Sequence, residues 1–168
     1  MERKYARYVL GFCITVMTGV MLQCMRWELP SPLMEILVPA SASPWEQGKL
    51  CYWPYLAGAL MIWHLGDGRD SRGGHCALLV IMPLMMTVLC YLGRIGTRQG
   101  IIVAWLIVLM LGIALYALVL RRWLWGGELL WYTLAILLGI AYLLLTALPL
   151  SGGIFEEVIA VPTMAIPV

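Results

Sequence analysis

IIVAWLIVLMLGIALYALVL, residues Ile101 to Leu120, runs for 20 positions without a charge, and its only polar side-chain atoms belong to Trp105 and Tyr116. As an α-helix this stretch is about 30 Å long, which matches the hydrocarbon thickness of a bilayer. A helix apolar on every side has no face for water and belongs in lipid or deep in a core.

Four further stretches read the same way on either side of it: Tyr8 to Met25, Pro44 to Leu65, Cys76 to Leu92 and Leu129 to Leu148. The composition agrees. Of 168 residues, 62% are apolar and 12% charged, about half the charge that a water-facing surface carries. The expected fold is all-α: a single domain, 1–168, forming an integral membrane bundle of five transmembrane helices.

Between the first two helices, Arg26 to Ser43 carries Pro30, Pro32 and Pro39 around an apolar piece, Leu33 to Val38, too short to cross. A short interfacial or re-entrant segment is expected there, because lipid leaves irregular backbone without partners. The second helix has the clearest start. Ser43-Pro44-Trp45-Glu46 sets Ser at N-cap, Pro at N1 and Glu at N3, a capping box in which Glu46 reaches back to the Ser43 amide. Pro83 frees a carbonyl one turn earlier and is expected to kink the third helix.

The net charge of +2, with no basic stripe, excludes a nucleic-acid partner. Five scattered cysteines without a Cys-x-x-Cys pair make no disulfide framework and read as small hydrophobes. Arg3, Lys4 and Arg7 precede an apolar run with no small-x-small cleavage site, so the first helix is expected to be retained. With the N-terminus cytoplasmic, seven basic residues (Arg3, Lys4, Arg7, Arg69, Arg72, Arg121, Arg122) lie inside and four (Arg26, Lys49, Arg94, Arg98) outside. That bias favours N-in and C-out. Trp27, Trp45, Trp53, Trp63, Trp123, Trp125 and Trp131 sit near helix ends, as interfacial belts require.

Ser43, Trp45, Glu46, Lys49 and Leu50, a Ser-x-Trp-Glu-x-x-Lys-Leu motif followed by Pro54, resemble the signature of a family of small multi-pass bacterial membrane proteins known as a domain of unknown function. Ala42 and Gln47 stand where that family carries an acid and a histidine. The resemblance implies a bacterial inner-membrane location and no activity.

Three constellations invite chemistry. Glu46 and Lys49, three apart, share a helix face and with Trp45, Arg26 and Glu28 are the candidate ligand site at the outer end. The structural alternative is a cap, a snorkelling lysine and an interfacial tryptophan. His64, Asp67, Asp70 and His75 have the ligand types of a metal site, yet Arg69 and Arg72 oppose a cation and the loop reads equally as a solvated turn. Glu128, after two glycines, suits a first helical turn. Glu46 and His64 lie eighteen residues apart, about 27 Å along a continuous helix, and share no centre.

No Walker, His-Glu-x-x-His or Gly-x-Ser-x-Gly motif occurs. The expectation is non-enzymatic binding of a partner protein, lipid or small solute without a cofactor. The partners are the lipid bilayer and a membrane protein or second copy. A membrane-embedded hydrolase acting on lipid or peptide is the alternative, with a transporter component after it. Helix packing is expected through Ala57, Gly58, Ala135 and Gly139.

Overall fold

A computed structural model describes residues 2–28, 31–39, 41–65, 72–116, 118, 128–148 and 152–156. Among them the chain is all-α: α1 (Glu2–Glu28), α2 (Pro32–Leu37), α3 (Pro44–Gln47), α4 (Lys49–Leu65), α5 (Arg72–Gly93), α6 (Arg98–Leu115), α7 (Glu128–Ala147) and a 3-10 turn, η1 (Gly153–Phe155).

α5, α6 and α7 are each long and apolar enough to cross a membrane. α4 has 17 residues, and the apolar part of α1, Val9–Met25, is likewise shorter than those three. α5 is the hub, touching α3, α4, α6 and α7, while α1 lies along α4 and α2 rests on α1 and α7.

The core is mainly apolar, but it encloses polar groups, and much of the exterior is apolar too. Thr15, Ser43, Glu46, Gln47, Lys49, His75 and Thr87 are buried. Met110 on α6 and Leu129, Ile136 and Leu137 on α7 are more than half exposed. Large apolar side chains pointing outward along α6 and α7 require a solvent as apolar as themselves, and a bilayer is that solvent.

Several boundaries depart from expectation. α1 extends beyond Tyr8 to Met25 at both ends, through its charged first turn and through Glu28. The expected helix from Pro44 to Leu65 comes as two pieces meeting at Gly48. Gly48 keeps helical angles (φ −59°, ψ −30°), but its N–H bonds to Trp45 O in the tighter i to i+3 pattern, while its O accepts from both Cys51 N and Tyr52 N. A Cβ on Gly48 would fall on Tyr142 Oη and lie 3.1 Å from Thr87 Oγ1, so α3–α4, α5 and α7 meet closely there only because the side chain is absent. α5 stays helical through Pro83.

Pro54, inside α4, has no N–H for the carbonyl of Leu50. Trp105 on α6 supplies that donor, its Nε1 lying 2.9 Å from Leu50 O. Gly58 packs against α1, where an added Cβ would strike Thr15 Oγ1 and Gly11 O. Ala135 and Gly139 receive the ring of Tyr52 rather than a helix backbone, and Tyr52 Oη donates to Ala135 O at 2.8 Å. All five cysteines are free; Cys51, Cys76 and Cys90 are buried as small hydrophobes, and Cys13 and Cys24 are exposed on α1.

Candidate functional site

The outer-end candidate is built on Lys49, the first residue of α4, whose side chain is 0% exposed. A lysine so placed would cost several kcal/mol with its ammonium unpaired. Its Nζ meets Glu46 Oε2 at 2.7 Å, Thr146 Oγ1 at 2.6 Å and the backbone O of Glu35 at 3.0 Å. An ammonium has three donors, and these three oxygens lie within their reach.

Each acceptor has a local cause. Ser43 caps α3 by accepting from Glu46 N, which fixes Glu46 one turn before Lys49. Thr146 passes its own proton to Tyr142 O at 2.6 Å, leaving its oxygen lone pairs to Lys49. Glu35 O belongs to the last turn of α2, where carbonyls lack intrahelical donors. Trp53, one turn along α4 from Lys49, donates from Nε1 to the neighbouring Ile36 O at 3.2 Å. α4 thus closes the end of α2 with two donors, one of them a cation where the helix dipole favours it.

The capping box is half made. Ser43 accepts from the Glu46 amide, but the Ser43 amide bonds to Ser41 Oγ at 3.3 Å and the Glu46 carboxylate turns to Lys49 instead. A charge-assisted bond to a buried ammonium outweighs a neutral one to an amide that Ser41 can serve. Gln47 Nε2 adds a bond to Ser41 O at 2.8 Å, so the connection ahead of α3 is tied to it twice. Lys49 keeps its ammonium inside the bundle, and Trp45 is half-buried beside it. Its ring packs on Tyr142 (centroids 4.8 Å apart) and on Phe155 of η1 (5.7 Å).

Arg26 and Glu28 fall in the last turn of α1, with side chains outside the described residues. Of the second candidate set, only the two histidines lie among the described residues. His64 is exposed at the end of α4, Asp67 and Asp70 lie outside the described residues, and His75 is buried in the first turn of α5. His75 Nδ1 is 2.8 Å from Tyr55 Oη, and its ring stacks on Tyr116 at 4.5 Å. Among the described residues no group of three His, Cys, Asp or Glu side chains could hold a metal ion. Glu128 opens α7, exposed, with its side chain against Gly73.

Sequence reasoning did not find the polar interior. Tyr52, Tyr55, Thr87 and Tyr142 place hydroxyls inside the bundle between the Lys49 end and His75. Tyrosine counts as apolar in a hydropathy window, and the side of a helix it faces is set by contacts distant in the chain. The available signal was the three-residue spacing of Tyr52 and Tyr55 with Lys49, which places all three near one stripe of α4. Compared with protein-family models, curated proteins and solved structures, the chain matches none.

Proposed function

We propose that the chain is a five-span protein of a bacterial inner membrane, N-terminus in the cytoplasm and C-terminus outside. α1 and α4 cross beside α5, α6 and α7. Its role is non-enzymatic: it binds a partner protein at the outer end, where α2 is held over the bundle. A lipid headgroup or a small solute at that end would be an outcome of the same test.

The observation carrying this reading is the engagement of Lys49. The one ammonium in the motif is enclosed by Glu46, Thr146 and Glu35 O, so it fixes α2 against α4 and α7 rather than facing a substrate. What α2 presents outward is the exposed side chain of Glu35, at the surface a partner would meet. A fixed polar edge beside a lipid-facing wall suits recognition, since rigidity lowers the cost of association.

A photo-crosslinking residue at Glu35, compared with one at lipid-facing Leu137, tests it in native membranes. A discrete protein adduct from position 35 alone is expected. Lipid adducts alone at both positions would remove the partner-protein reading.

A further inference from the structure

His75 sits inside the bundle rather than in the loop before α5, and it is 2% exposed. A buried imidazole in a membrane span is costly when charged and is a candidate for function on that ground. Its surroundings are those of a ring that exists in two charge states. Tyr55 Oη, 2.8 Å from Nδ1, is both donor and acceptor. It can donate to a neutral Nδ1 and accept from a protonated one without moving. Tyr116 lies face to face with the ring at 4.5 Å and 27°, the placement in which an aromatic face attracts a cation. Trp63 adds a perpendicular contact at 6.3 Å.

The elements converge for this purpose. α4 supplies Tyr55 and Trp63 about two turns apart. Tyr116 directly follows α6, its backbone N–H still bonded to Gly112 O and Ile113 O of that helix. The titratable and charged groups around the ring, among the described residues, are Tyr55 on α4, Arg72 and Cys76 on α5, Tyr116 after α6, and Glu128 and Tyr132 on α7. Arg72 and Glu128 are both exposed and of opposite sign, and the contacts made directly to the ring are the Tyr55 hydroxyl and the Tyr116 and Trp63 rings.

We propose that His75 is an intramembrane proton-binding site, its imidazolium held by Tyr55 Oη and the face of Tyr116, so that the bundle responds to proton activity. The ligand is the proton itself: it adds to the lone pair of the unprotonated ring nitrogen, with no bond broken in the protein. Charging the ring strengthens its contacts to α4 and to the end of α6 together, which links protonation to the packing of three helices.

The chain has two histidines, and His64 is exposed, so His64→Gln leaves a single imidazole to observe. In that background, with 15N-labelled histidine and the full chain in lipid nanodiscs, nitrogen chemical shifts read the ring's protonation from about pH 8 down to about pH 5. The expected result is a neutral ring at the alkaline end and an imidazolium at the acid end. Tyr116→Phe, which keeps the face, retains the imidazolium. Tyr55→Phe and Tyr116→Leu lose its signal at the same acid pH while backbone amide spectra stay dispersed. If Tyr116→Leu fails to fold, the hydroxyl-only change Tyr55→Phe decides. A ring that stays neutral at the acid end, or an imidazolium that survives Tyr55→Phe, overturns the proposal.

Discussion

At Lys49 one side chain holds three segments, and its energetics follow from what remains when either partner is removed. Lys49→Met takes the ammonium away from the Glu46 carboxylate and the Thr146 hydroxyl in a site that excludes most water. Removing one member of a buried pair costs about 3 to 5 kcal/mol. Glu46 keeps some solvent contact at 12% side-chain exposure, which places the expected loss near the lower end, about 3 kcal/mol. Replacing both members, Lys49→Met with Glu46→Leu, removes the carboxylate along with the ammonium and is expected to recover much of that stability. Equilibrium unfolding in detergent measures both variants. A single Lys49→Met as stable as the unaltered protein would mean that the ammonium is not enclosed as described. The pair was visible in the sequence as an i, i+3 spacing, whereas its burial was not. Burial depends on Thr146, ninety-seven residues away, and on a carbonyl of α2, which no local pattern reveals.

At the scale of elements, α4 and α6 are joined by a repair of helical hydrogen bonding. Pro54 withholds a donor from Leu50 O, and the Trp105 indole restores it across the helix pair. Trp105→Phe keeps most of the ring but leaves a buried carbonyl unpaired, an expected loss of about 1 to 3 kcal/mol. Pro54→Ala returns an amide to the helix and gives Leu50 O a local donor. In that background Trp105→Phe should cost distinctly less. The coupling from the double-mutant cycle isolates the bond from the packing of Trp105 against Gly19; additive losses would show that the indole acts through packing alone. Hydropathy placed both ends of α5 and α7 and the start of α6 to within four residues, because a run of apolar side chains is a local property. The break at Gly48 was hidden for the opposite reason. Glycine in an apolar run reads as a small packing residue, and only Tyr142 and Thr87 arriving from α7 and α5 make its missing side chain necessary. The Ala135 and Gly139 spacing was legible as a groove, but its occupant, Tyr52, was not.

For the molecule as a whole, the apolar exterior carries the most weight, because it is a property of many side chains together. Outward Met110, Leu129 and Leu137 on helices long and apolar enough to cross a membrane suit hydrocarbon as the surrounding solvent. Lys49 belongs to the interior, so it drops out of the loop charges that orient the chain. In the proposed orientation the outer loops would keep Arg26, Arg94 and Arg98 against seven basic residues on the other side, a sharper bias toward a cytoplasmic N-terminus. The proposed five crossings have a definite consequence. α5 would separate the connection 66–71 from the connection 94–97, and α6 would return the chain to the first side before α7. Single cysteines placed at positions 69, 96 and 124 in a chain whose own cysteines are replaced by alanine report this in intact cells. A membrane-impermeant maleimide is expected to label position 96 alone, and positions 69 and 124 only after the membrane is opened. Labelling of 69 and 124 on different sides would mean that α5 or α6 does not cross, and with it the five-span arrangement would be lost.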